Sequence, residues 1–201
     1  PLLGFVSFYT GLLLSGAKFV PLWSQQYLPY LFLNSGLLTG LAGAGLIFML
    51  LHAFLSYERE ESSGVFRVVG YAILFFIVIE GFELYLFMNY LASNPEKLDV
   101  TGKFITPNGS AMAYEYVTQG VLSSWYWWGI IGIGLTFPLV LTFIELIFEK
   151  IIRPYANWIT SVKFASILAG GIILRFVMVW GGELKAPLNF PPALFQIPIT
   201  G

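Results

Sequence analysis

From Val65 to Tyr90 the chain runs through about 26 nearly continuous apolar residues, long enough as a helix (~1.5 Å per residue, roughly 39 Å) to cross a bilayer. Two carboxylates, Glu80 and Glu83, interrupt it near the middle. An ionisable group at that depth costs at least ~2.5 kcal/mol on insertion scales, so it faces a protein interior or a wet cavity and marks a candidate proton, ion or substrate path. Residues three apart share one face of a helix, so the two acids act on the same side. The rest of the chain then reads as the wall around that face.

Composition agrees with a wall that faces lipid. Of the 201 residues, 57% are hydrophobic and only 10% charged, whereas a water-soluble domain carries about 25% charged residues to solvate its surface. The class is therefore an integral membrane protein, all-α, a polytopic transmembrane helix bundle. A formal charge of −1 and the lack of a basic stripe exclude a nucleic-acid partner. With no cysteine and one histidine, His52, the protein alone cannot ligate a cysteine-bound iron–sulfur cluster or a bis-histidine haem, and no metal site is expected. Electrons would have to come from elsewhere.

About five helices are expected within residues 1–183. The first, from about Leu2 to Ala17, is shorter than the ~20 residues of a full crossing. The chain starts in apolar sequence at Pro1 with no basic leader, so this segment reads as the second part of a helix that begins upstream, with N-terminal helices missing. Lys18, Pro21 and Trp23 make an interfacial turn. A second crossing, about 27–54, carries Gly36, Gly40 and Ala44 at four-residue spacing, with Thr39 and Gly43 alongside, a pattern for close helix packing. The charged loop Tyr57 to Ser63 (YEREESS) leads into the acid-bearing crossing, about 65–90, through Arg67.

The long polar connection that follows contains Pro95, Pro107 and an Asn108-Gly109 turn signal, and its segment Ser110 to Gly120 can form a surface helix. The fourth crossing, about 123–148, opens with the aromatic run Trp125-Tyr126-Trp127-Trp128 and holds Pro138, which cannot donate to the Gly134 carbonyl and should kink the helix there. The fifth runs from about 155 to 180. Residues 184–201 hold Pro187, Pro191, Pro192 and Pro198 among apolar side chains and read as an extended tail that lies against a partner. Basic residues divide evenly between the two ends: Arg59, Arg67, Lys150 and Arg153 against Lys18, Lys97, Lys103 and Lys185. The two short loops favour the first set as cytoplasmic.

Buried ionisable groups are the candidate machinery. Two carboxylates close together in low dielectric cannot both ionise cheaply, and the one that keeps its proton is suited to carry it. Glu80 and Glu83 are the first candidates for a proton relay; Arg175, about five residues before the end of its helix, and His52, whose side chain titrates near neutrality, extend it. Glu145 lies near the end of the proline-broken helix and reads as a snorkelling acid. Tyr9, Asn34 and Ser35 are polar groups in apolar runs that can bond a neighbouring helix or a quinone oxygen, Tyr9 and Asn34 being the quinone candidates.

Three stretches resemble a known family. They are Tyr9 to Ser15 (YTGLLLS) with Pro21-Leu22-Trp23, Leu28 to Gly40 (LPYLFLNSGLLTG), and the ending Leu174 to Glu183 (LRFVMVWGGE); Trp125 to Pro138 is similar to the family's penultimate helix. The family is the NrfD/PsrC group of polysulfide reductase-type membrane subunits, matched here in its C-terminal part, and the proline-rich tail resembles the membrane subunit linked to dissimilatory sulfite reductase. The resemblance implies a membrane anchor of a respiratory complex in the prokaryotic cytoplasmic membrane. It would exchange electrons between quinone (menaquinone or ubiquinone) and a partner iron–sulfur subunit, with a catalytic subunit beyond, in sulfur metabolism. The subunit itself would hold no haem and not be catalytic alone. The opening helices that supply much of the family's quinone pocket are absent from this sequence.

Two other classes stay open at this stage. Paired buried acids beside a Gly/Pro-broken helix also suit an ion- or proton-coupled transporter, and the protein can be a purely structural anchor. Quinone conversion by a purified complex separates the first reading from both.

Overall fold

The computed structural model describes residues 2–16, 20, 22–23, 26–55, 62–93, 109–147 and 156–183. Lys18, Pro21, the loop before Ser62 and the tail 184–201 lie outside the described residues, as does the side chain of His52. The described residues are helical: α1 (Leu2–Ser15), α2 (Leu28–Leu55), α3 (Ser62–Ser93), α4 (Gly109–Thr118), a π-helical segment (Trp125–Thr136) that runs on into α5 (Phe137–Ile147), and α6 (Ala156–Glu183). Four stretches are long and apolar enough to cross a membrane: Leu28–Leu51, Val68–Ser93, Trp125–Glu145 and Asn157–Gly182. Helices are forced on such sequences because lipid offers no partner to a backbone N–H or C=O, so each must be satisfied within its own segment.

Local sequence sets where helices start and how closely they pack. Pro29 sits in the first turn of α2, where a missing N–H costs nothing, and Leu31 N–H already reaches Tyr27 O at 3.0 Å. At Gly11 a Cβ would stand 2.6 Å from Pro29 Cα, so only glycine lets α1 lie backbone to backbone on α2. The small-residue row of α2 divides its work: Gly36 packs against Ser7 of α1, and Gly43 and Gly45 receive Leu168 and Phe164 of α6. Gly40 meets no described residue within 4 Å, so the row is not one continuous packing stripe.

Sequence reasoning expects a kink at Pro138; what the structure shows there is a change of winding. The Phe137 N–H bonds back five residues to Gly132 O. Pro138, next in line, has no N–H to give, so the shift from five-residue to four-residue bonding falls where no donor is lost. Trp23, expected as an interfacial anchor, donates its indole N–H to Met178 O at 2.8 Å, with its ring lying on Gly182. That contact pins the turn between α1 and α2 to the end of α6.

The apolar interior is in two parts. One cluster gathers Leu28, Leu31, Leu84, Phe87, Ile130, Leu174 and Val177 at the end of the bundle where α2 begins and α6 finishes. The other gathers Leu38, Ala42, Ile73, Ile77, Phe164 and Ile167 toward the opposite end. Between them, at 34–35 on α2 and 80–83 on α3, the interior is polar. A stripe of Val68, Tyr71, Phe75, Val78, Phe82 and Tyr85 on α3 is exposed, on the side of the acid-bearing helix turned away from the described bundle.

Candidate functional site

The polar layer is built from three long helices and closed by the π-helical segment. Glu80 points inward from α3 and is 5% exposed, whereas Glu83, three residues on, is half-buried. Opposite them on α2 stand Asn34 and Ser35, both buried. The Asn34 amide faces the Glu83 carboxyl and also donates to Phe76 O at 3.1 Å, tying α2 to α3 at this level. Glu83 Oε2 is left without a hydrogen-bond partner. Ser35 lies beside Glu80, yet its fully buried hydroxyl makes no hydrogen bond of good geometry. A layer with two such orphan atoms can take a further donor or a water, because buried polar groups are otherwise nearly always paired.

Arg175 brings the positive charge. Its Nη1 donates to Gly171 O, one turn back on α6, at 3.1 Å, so the guanidinium folds along its own helix into the layer, where its charge acts on Glu80. Glycines make the space: a Cβ at Gly171 would lie 3.4 Å from Arg175 Nη1 and 3.6 Å from Ser35 Oγ, and one at Gly36 would lie 3.8 Å from Arg175 Nη2. Among the described residues no ion pair joins Arg175 to either acid. The two charges act on each other across the layer without a direct bond.

A small cavity adjoins Glu80, lined by Thr39 and Leu38 of α2, Ile130, Gly134 and Leu135 of the π-helical segment, and Ile167, Gly170 and Gly171 of α6. Its volume of about 10 Å³ is at the lower limit for one water molecule. Gly134 and Gly170 form one wall, with a Cβ at Gly134 placed 2.9 Å from Gly170 Cα.

The structure thus brings Glu80, Glu83, Arg175, Asn34 and Ser35 into one layer. It does not bring Tyr9 there: that side chain is exposed on α1, apart from Asn34. The His52 side chain lies outside the described residues. Glu145, read from sequence as a snorkelling acid, is instead held by α6: it pairs with Lys163 and accepts from Thr160 Oγ1 at 3.2 Å. Lys163, 3% exposed, is the group that sequence reasoning missed. Its signal was a lysine between Val162 and Phe164 at the start of an apolar run, with an acid near the end of the preceding crossing. Among the described residues no three His, Asp or Glu side chains form a metal-binding group.

Comparison with known proteins agrees with the architecture. Residues 5–187 match the family model described as "Polysulphide reductase, NrfD". The sequence is 28% identical over 178 residues to the C chain of polysulfide reductase from Wolinella succinogenes, an alignment that takes in 89% of this chain and 50% of that protein. It is 26% identical over 182 residues to protein NrfD of Escherichia coli, with 88% of this chain and 48% of that protein aligned. The chain thus spans about half the length of the curated relatives it matches. No solved structure matches it.

Proposed function

We propose that this chain, which belongs to the polysulphide reductase NrfD family, is part of a quinone- or quinol-interacting membrane subunit of a respiratory oxidoreductase in the prokaryotic cytoplasmic membrane. It would serve electron exchange between membrane quinone and a partner iron–sulfur subunit, with a catalytic subunit beyond. The observation that carries this reading is the family match, which covers all four membrane-crossing stretches. Quinone/quinol interconversion moves two protons with two electrons, so such a subunit needs buried proton carriers.

Glu80 is the carrier we assign, with Glu83 as its neighbour and Arg175 as the charge that tunes it. Burial between two apolar clusters disfavours an ionised carboxylate there, and the nearby guanidinium favours it. The adjoining cavity, with room for about one water, does not fit a quinone ring. We therefore place no quinone step at Glu80 and treat the polar layer as proton machinery.

The test is a complex purified through this subunit. A co-purifying iron–sulfur subunit, detected by paramagnetic resonance, and reduction or oxidation of a soluble quinone analogue that is lost without this subunit are the expected results. Uptake of a solute by this chain alone, with no quinone turnover in any complex, would replace the reading with a transporter.

A further inference from the structure

The seam between α5 and α6 holds a second line of buried polar groups that the Glu80 layer does not use. At its outer end Glu145 pairs with Lys163 and accepts from Thr160. The Lys163 side chain is 4% exposed and that of Glu145 22%, so the acid is the more accessible member of the pair. Contacts fix the register of the antiparallel pair: Glu145 meets Lys163, Gly134 meets Gly170, and Gly129 meets Ile173. That register sets Thr142 of α5 level with Ser166 of α6, and both are buried.

Each of these hydroxyls donates along its own helix, Thr142 to Pro138 O and Ser166 to Lys163 O, both at 2.8 Å. Their oxygens keep lone pairs that can accept. One turn beyond Ser166 lies the cavity lined by Gly170, Thr39 and Glu80. From Lys163 to Gly170 the rise is roughly 10.5 Å, which two hydroxyls and one water can cover.

We propose that Glu145 and Lys163 form a proton-exchange station, from which a route along the α5–α6 seam joins Glu80 to the membrane end where α5 finishes. The inference rests on Glu80 being a proton carrier. A seam that only packs would be served as well by apolar side chains, since replacing a buried ion pair by hydrophobic residues is often neutral or stabilising. Here Thr142 and Ser166 add one buried polar level inward of the pair, and the cavity beside Glu80 begins one turn further on.

The step moves no electrons. Glu145 takes up a proton from the aqueous side and passes it inward. Each hydroxyl oxygen forms one O–H bond as its own O–H breaks, and rotation of the hydroxyl restores the starting state. Lys163 remains the fixed cation beside the acid.

The test uses the assembled complex in sealed vesicles, with quinone-analogue turnover and a pH-sensitive dye. The double variant Glu145→Gln/Lys163→Met leaves no unpaired buried charge, and its proton-uptake rate should fall roughly tenfold or more. Formic acid in the medium should restore part of that rate, which it would not do for a packing defect. The swap Glu145→Lys/Lys163→Glu keeps the pair but moves the acid to the less accessible position, and should retain more of the uptake than the double variant and less than the wild type. Should the double variant fail to assemble, Ser166→Ala/Thr142→Val interrupts the same route without touching a charge and should also slow uptake. Wild-type uptake in the double variant, or in the hydroxyl variant, with Glu80→Gln still impaired, overturns the route alone. Wild-type uptake in Glu80→Gln overturns the relay, and the route with it.

Discussion

Gly134 of the π-helical segment and Gly170 of α6 meet backbone to backbone, so close that a Cβ on Gly134 would stand 2.9 Å from the Gly170 Cα. Both residues also line the cavity beside Glu80, so the packing of two crossings and the shape of that cavity depend on the same contact.

Gly170→Ala should therefore force the two crossings apart. Overpacking of this kind costs about 1–3 kcal/mol. Thermal unfolding of the detergent-solubilised subunit should show the loss, and Gly81→Ala, at a position with no described neighbour within 4 Å of its Cβ, should not. Equal stability of the two variants would contradict the contact.

Trp23→Phe keeps the ring on Gly182 and deletes the indole N–H bond to Met178 O. One hydrogen bond of about 1 kcal/mol is lost. Limited proteolysis should then cut faster between α1 and α2, with the rest of the bundle intact. An unchanged cleavage rate would show that the bond does not hold the turn.

Much of this architecture could be read from residues in order. Each long crossing is a run of apolar side chains of bilayer length, and a carboxylate such as Glu80 inside one has few destinations other than the interior. What sequence could not supply came from neighbours across the bundle. Lys163 lies within two turns of the start of α6, where a lysine ordinarily snorkels to the headgroups; only Glu145 on α5 turns it inward. Pro138 led to the expectation of a kink, and nothing in the residue pattern pointed to the five-residue winding that precedes it. Asn34 and Tyr9 look alike in sequence as polar residues in apolar runs, and the packing of α2 on α3 places only the first in the layer.

The apolar, proline-rich residues 184–201 are expected to dock on another subunit, since such a surface is otherwise left to water. Truncation after Glu183 should leave membrane insertion intact and lower the yield of assembled complex. Equal recovery of partner subunits with the truncated and full-length forms would remove the docking role.

The central claim is that Glu80 carries protons for quinone chemistry. Glu80→Gln preserves shape and hydrogen-bonding capacity while removing titration, so assembly should survive. General acid–base groups contribute about 10²–10⁴-fold, and a loss toward that range is expected in proton-coupled turnover. Glu83→Gln should lose less, because Glu83 is only half-buried beside the amide of Asn34, and Glu80→Asp should lose less than Glu80→Gln because an acid remains. The direct measurement is proton uptake per quinone analogue turned over, by the Glu80→Gln complex in sealed vesicles. The account predicts a complex that assembles normally with slowed, uncoupled turnover; normal assembly with wild-type rate and proton stoichiometry would contradict it and make Glu80 a structural acid.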